Sequence, residues 1–273
     1  MSLLRIDREK CKKDGLCAMD CPFAIIRLDG DGFPEMVPGG DGVCTRCGHC
    51  VAVCPHGALD HAEVPAEQSP EIRKDLAVNA DQAVQFLRSR RSIRVYADRP
   101  VERETVEKLV RIARYAPTAG NAQEVEWTVF NNRDVLRNIA GLTVDWAKHL
   151  VKTQPAGSYP PYLPLLGAAW DAGLDTILRG APALVIASAP KEANNGMVDC
   201  AIALSYLELA AVAHGLGTCW AGMVHAALKY WPPLQEVVGL PKGHTNQYPM
   251  MLGYPKAKYR RLPERRAPKI HWR

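Results

Sequence analysis

The chain has 273 residues, 47% hydrophobic and 23% charged, with a formal net charge of +5. That leaves room for two cores of unequal size, and the mild basic excess, gathered in short clusters without interleaved aromatics, argues against a nucleic-acid-binding face. No stretch reaches the roughly 18 apolar residues of a membrane crossing, since Met197–Met223 is broken by Asp199, Glu208 and His214. Residues 1–10 already carry Arg5, Asp7, Arg8, Glu9 and Lys10, so no leader is expected and the protein reads as cytoplasmic.

Seven of the nine cysteines precede residue 55. Their spacing argues for metal rather than disulfides. Cys44-x2-Cys47-x2-Cys50-x3-Cys54-Pro55 is the run that holds iron–sulfur clusters in bacterial ferredoxins, where the fourth cysteine reaches to the other cluster. Zinc sites instead pair two knuckles at wider separation. The segment Cys11-x2-Asp14-Gly15-x-Cys17-x3-Cys21-Pro22 repeats that run 33 residues earlier, Gly15 matching Gly48 and Pro22 matching Pro55. Each half resembles one half of a bacterial two-cluster ferredoxin. That resemblance implies one cluster on Cys44, Cys47, Cys50 and Cys21, and a second on Cys11, Cys17 and Cys54.

Asp14 stands where the second cluster's remaining cysteine belongs. A carboxylate is a harder ligand than a thiolate. Two alternatives follow: a [4Fe-4S] cluster with an oxygen ligand and a labile iron, or a [3Fe-4S] cluster with Asp14 facing solvent. Lys12, Lys13 and Arg46, between the ligands, either favour the reduced cluster or are solvated loop charges.

The N-terminal domain is expected over 1–62, with a linker over 63–80 that contains Pro65, Ser69 and Pro70. A domain over 81–273 then opens with a helix from Gln82 to Arg90, capped by Asn79 or Asp81, burying Ala83, Val84, Phe86 and Leu87. Next comes Arg90-Arg91-Ser92-Ile93-Arg94, whose guanidinium groups and hydroxyl suit a phosphate monoester; the plainer alternative is a solvated helix end. A helix from Glu102 to Tyr115 presents Val106, Leu109, Val110 and Ala113 on one face. The loop Ala116–Gln123 follows, with Asn121 and Gln123 offering amides to a heterocycle, and then a strand from Val125 to Phe130. A long apolar helix, about Val198 to His214, leads into Gly215-Leu216-Gly217-Thr218-Cys219-Trp220-Ala221-Gly222, where glycine permits close backbone approach to a ligand. A strand ends at Leu252-Gly253-Tyr254-Pro255-Lys256, and an extended basic arm carries Arg260, Arg261, Arg265 and Arg266.

Together these four blocks, R-x-S-x-R, P-T-x-x-N-x-Q, G-L-G-T-C-W-x-G and G-Y-P-x-K, resemble the nitroreductase-like flavoprotein superfamily over roughly residues 82–270, in the subgroup with an N-terminal ferredoxin domain. The resemblance implies an α+β protein: a ferredoxin-like domain followed by a nitroreductase-like α/β flavin domain with helices around an antiparallel-dominated sheet. It further implies an intertwined homodimer with FMN at the subunit interface. Arg90, Arg91, Ser92 and Arg94 would hold the phosphate and ring edge, Arg94 nearest the pyrimidine. Asn121, and more weakly Gln123, would bond the isoalloxazine or ribityl chain. The backbone at Trp220, Ala221 and Gly222 would face flavin N5, and one or both of Arg265 and Arg266 would close on the phosphate. Residues 141–180 would cap the pocket and carry specificity, or else their aromatics, Trp146, Tyr159, Tyr162 and Trp170, serve dimer packing. His149 is expected at the surface, and Cys200 and Cys219 as core thiols.

The joint expectation is an oxidoreductase in which a low-potential donor, reduced ferredoxin or NAD(P)H, delivers electrons through the clusters and FMN to a small organic acceptor such as a nitroaromatic, quinone or activated alkene. An electron-transfer protein or NAD(P)H–ferredoxin oxidoreductase serving a protein partner, and a redox sensor acting through cluster loss at Asp14, are the alternatives.

Overall fold

Few large apolar side chains are available before residue 60, so only short elements close there. In the computed structural model, which describes residues 2–273, they form one unit extending to Val78, with which Gly120–Ala122 also groups. Its strands pair antiparallel as β1 (Leu4–Ile6), β2 (Ile26–Leu28), β3 (Pro34–Met36) and β4 (Leu59–His61), in the hairpin-like pairs β1–β4 and β2–β3. Helices α1 (Leu16–Met19) and α2 (His49–Ala52) are single turns. Leu4, Ile25, Ile26, Val51 and Leu59 make the core together with Cys17 and Cys50.

The 33-residue repeat extends into the backbone. Lys13, Gly15 and Ala24 have φ of 58, 72 and 51°, and Arg46, Gly48 and Gly57 have 54, 74 and 56°. Helices α1 and α2, and strands β2 and β4, are offset by the same interval. Four of these six left-handed positions lie between or beside ligand cysteines, where a helix must start without a preceding turn to aim its amides.

The second unit is built on a four-stranded antiparallel sheet, order β5–β6–β8–β7, with β5 Glu126–Phe130, β6 Ala183–Pro190, β7 Gly217–Trp220 and β8 His244–Gly253. Val185 on β6 lies opposite Val129 on β5 and Met250 on β8. Helices cover both faces, so β6 reads as a nearly continuous apolar run rather than an alternation. Ala183, Val185, Ala187 and Ala189 face one cluster, with α4 (Arg103–Ala113) and α7 (Gly196–Ala213). Leu184 and Ile186 face the other, with α5 (Arg133–Thr153), α6 (Leu163–Asp171), α8 (Gly222–Tyr230) and α9 (Pro232–Val238). Among the described residues only α7 is long and apolar enough for a membrane span. It packs against α4, β6 and β8 and buries Asp199 and Glu208.

Helix α3 (Ala80–Ser89) is set by a capping box, Asn79 Oδ1 accepting from the Gln82 amide and Gln82 Oε1 from the Asn79 amide. Its expected buried face is only partly covered: Ala83 and Phe86 are half-buried, while Val84 and Leu87 are 53% and 57% exposed. Trp146, expected in the cap, is instead a core residue of the α5 side, with Tyr159 and Trp170 packed against the same cluster. Strand β6 escaped sequence reasoning, since a buried strand's apolar run carries no period.

Segment 93–97 lies across the ends of β7 and β8. A Cβ on Gly253 would sit 2.6 Å from Pro182 Cδ and 2.7 Å from Tyr96 Cδ1, and one on Gly217 would collide with Ile93. Gly253→Ala is therefore expected to destabilise the protein by about 1–3 kcal/mol, the cost of overpacking a close contact. Denaturant unfolding followed at the tryptophans measures this; an unchanged midpoint would show that the segment is not held so tightly.

Candidate redox centres

In the first unit the turns around α1 and α2 fold the cysteines into two separate cages. Cys21, Cys44, Cys47 and Cys50 line one cavity, backed by Leu4, Ile25, Ile26 and Met36. Cys11, Asp14, Cys17 and Cys54 line the other, with Ile6, Pro34 and Leu59. Cys21 and Cys54 each serve the cage of the opposite half. Among the described residues no three His, Cys, Asp or Glu side chains converge on a point as a single ion requires.

The donor chemistry fits such a group. Burial pushes the Cys50 thiol up to about 11, and the neighbouring Cys47, Cys44 and Cys21 raise it further by charge repulsion. Burial likewise raises the Cys17 thiol, with Cys54 and Asp14 adding to the effect. Closely spaced thiolates repel one another unless a cationic core sits among them, and an iron–sulfur core would supply that charge. Cys54 Sγ also accepts a hydrogen bond from the Ala58 amide at 3.3 Å. Asp14 lines its cage, with Oδ1 accepting from the Leu16 amide at 3.1 Å and Oδ2 lying 3.5 Å from His56 Nε2. Arg46 pairs with Glu63, and Lys13 Nζ lies 4.4 Å from the Phe33 ring centroid.

In the second unit three of the four sequence blocks come together. The Ile93 amide donates to the Thr218 carbonyl at 2.8 Å, the Ala97 amide to Tyr254 at 2.8 Å, and the Lys256 amide to Val95 at 3.1 Å. Glu208, 6% exposed on apolar α7, accepts from Arg90 Nη1 at 3.1 Å, Thr218 Oγ1 at 3.0 Å and Trp220 Nε1 at 3.4 Å. One carboxylate thus orients the first arginine and the Trp220 turn. Cys219 is a core thiol raised by burial, against the downward pull of Arg94, Arg179 and the Ser92 hydroxyl, all of which lie beside it. The Ala221 amide is tied to the Pro249 carbonyl at 2.9 Å, and Gly222 begins α8.

The tail after β8 has no regular structure, and Arg265 and Arg266 are exposed on it. It is drawn toward the arginine block by Arg88–Glu264 at 3.1 Å and by Arg91 over the Tyr259 ring at 5.9 Å. The fourth block is held differently. Asp199, buried on α7, accepts from the Ala119 amide at 3.2 Å. Asn121, grouped with the first unit, donates from Nδ2 to the Thr45 carbonyl at 2.8 Å. The Gln123 amide donates to Thr118 Oγ1 at 3.0 Å and its side chain is exposed.

Sequence reasoning missed several residues here. Glu208 was legible as one of two carboxylates, with Asp199, in an otherwise apolar helix, a pattern that demands buried partners. Tyr248 and His225 had no local signal: their rings stack at 4.2 Å, and Trp220 packs edge-on against Tyr248 at 4.9 Å. His225 Nδ1 donates to the Gln247 carbonyl at 2.8 Å, and burial holds this histidine below its usual range. Beyond them, a cavity of about 470 Å³ opens between Tyr96, Arg137, Trp170 and Arg179, the last two from the expected capping segment.

Comparison with known proteins agrees with this arrangement. The nitroreductase family model matches residues 87–254 and the 4Fe-4S dicluster domain model residues 3–55. A protein of Archaeoglobus fulgidus with the provisional name NADH dehydrogenase/NAD(P)H nitroreductase is 28% identical over 180 residues, 64% of this chain and 87% of its own length. The ferredoxin soy of Streptomyces griseus is 34% identical over 59 residues, 20% of this chain and 89% of its own. A Bacteroides fragilis nitroreductase structure with bound FMN shares the fold, with a TM-score of 0.59 and 20% identity over 72% of this chain and all of that one. The chain is therefore an α+β member of the nitroreductase family of oxidoreductases, with an N-terminal 4Fe-4S dicluster domain preceding the family domain.

Proposed function

We propose that the protein is an FMN-dependent oxidoreductase that takes electrons from a low-potential donor, reduced ferredoxin or NAD(P)H, through two iron–sulfur clusters to FMN and on to a small organic acceptor. The observation that carries this reading is the pairing, in one chain, of two cysteine cages with a guanidinium cradle organised by a buried carboxylate. When bound, the clusters carry electrons singly and FMN passes them on in pairs.

The chain's own residues then have defined tasks. Cys21, Cys44, Cys47 and Cys50 hold one cluster. Cys11, Cys17 and Cys54 hold the second, with Asp14 its oxygen ligand. Glu208 takes one face of the Arg90 guanidinium and leaves its other N–H groups free. Arg90, Arg91 and Arg94 together outnumber Glu208, so the cradle keeps positive charge for a phosphate dianion, to which the Ser92 hydroxyl adds a donor. Arg265 and Arg266, tethered through Glu264, supply the remaining cations. The backbone of Trp220, Ala221 and Gly222 offers a flat edge for the ring. Asn121 and Gln123, outside this cluster of blocks, would serve a pocket completed by a second copy of the chain. The homodimer we infer covers the open apolar stripe of α3 and the exposed Val198 and Tyr206 of α7. Free thiols throughout suit a reducing, cytoplasmic setting.

Anaerobic addition of NADH, NADPH and reduced ferredoxin in turn, with the flavin absorbance recorded, is expected to bleach that band with at least one donor; a purified protein with neither iron nor FMN would end this reading. Arg90→Ala is expected to weaken FMN binding roughly 10- to 100-fold, from a lost charged hydrogen bond of 1.5–3 kcal/mol, as measured by fluorescence titration of the flavin. Asp14→Cys should give the second cage four thiolates. Iron retained after air exposure, determined by metal analysis, is then expected to rise in the variant, and equal loss in both proteins would remove Asp14 from the ligand set.

A further inference from the structure

His61 closes β4 and is 1% exposed. Its Nδ1 accepts from the Glu63 amide at 3.1 Å and from the Val64 amide at 3.2 Å. A ring nitrogen that accepts two backbone N–H groups carries no proton, so the neutral imidazole carries its proton on Nε2. That nitrogen lies 3.6 Å from Cys44 Sγ. The backbone thus fixes the tautomer, and the tautomer makes His61 a donor to one sulfur of one cage.

We propose that His61 is the positioning residue that sets apart the potentials of the two iron–sulfur centres, through an N–H···S hydrogen bond to the Cys44 thiolate. Hydrogen bonds to cluster sulfurs are among the levers that set cluster potential. An added electron increases the negative charge on the sulfurs, so the bond is stronger in the reduced state and raises the potential of that cluster.

The repeat supplies an internal control. Strand β2 precedes β4 by 33 residues, which puts Leu28 at the position equivalent to His61. Leucine has no donor. The cage of Cys11, Asp14, Cys17 and Cys54 therefore lacks this bond and has Asp14 with His56 in its place. Two halves alike in backbone differ in the polar group offered to their clusters. The second cage has a backbone donor of its own, the Ala58 amide to Cys54 Sγ, but no side-chain one, so His61 raises the potential of its own cluster alone.

The inference rests on the reading of two bound clusters, and the test separates the two. In the full-length, cluster-loaded protein, EPR-monitored redox titration of His61→Leu is expected to shift one midpoint downward while the other stays. The reduced-to-oxidised ratio at fixed potential should fall about tenfold, which is 59 mV for a one-electron couple. His61→Gln, which keeps an N–H, should recover much of the shift. Electron–nuclear double resonance on reduced protein labelled with ¹⁵N-histidine should show a weakly coupled histidine nitrogen that is lost in His61→Gln, where His49 and His56, which also line the cages, are unchanged; this decides the matter even if His61→Leu cannot hold its cluster. Clusters present without that coupling, or with both midpoints unmoved in His61→Leu, overturn the inference alone. Protein without iron and acid-labile sulfide overturns the cluster reading and the inference with it.

Discussion

A carboxylate placed inside an apolar helix has to be paired, because an isolated buried charge costs several kcal/mol. Glu208 satisfies that demand with three donors drawn from two separate stretches of chain: Arg90 just past α3, and Thr218 and Trp220 on β7. The arrangement of the second unit's candidate site follows from it. With Glu208 in place, the guanidinium of Arg90 is fixed beside the Trp220 turn, and the Ile93–Thr218 and Ala97–Tyr254 hydrogen bonds carry the segment on across the sheet to β8. Without a partner for the carboxylate, α7 would have to turn or hydrate at a buried position.

The N-terminal unit solves a related problem with sulfur. Buried thiols resist ionisation through desolvation and through one another's charge, as the raised Cys50 and Cys17 show. A bound cationic core would remove both penalties at once. Its own apolar core is small.

Much of this was legible in the sequence. The cysteine spacing and its imperfect 33-residue repeat are local patterns, and local patterns survive without a fold; the crossing of Cys21 and Cys54 came from the resemblance to two-cluster ferredoxins. Helices α3, α4 and α7 were readable to within a few residues from caps and apolar period. What stayed hidden was non-local or aperiodic. Strand β6 is buried on both faces and shows no alternation. Trp146 looks like a pocket aromatic until α5 is seen to turn it into the core. The apolar face of α3 was read as buried because periodicity states which side is apolar, never what covers it. Tyr248 and His225 meet only because β8 lies against α8.

Since each cage draws one cysteine from the opposite half of the repeat, neither half is a self-sufficient vessel. As the chain emerges in order from the ribosome, the earlier cage waits for Cys54 and the later one for Cys50, so neither set is complete until nearly the whole cysteine-bearing stretch is outside. With the proposed ligand sets, loading is in that sense all but simultaneous for both, and the two halves are interlocked rather than merely adjacent.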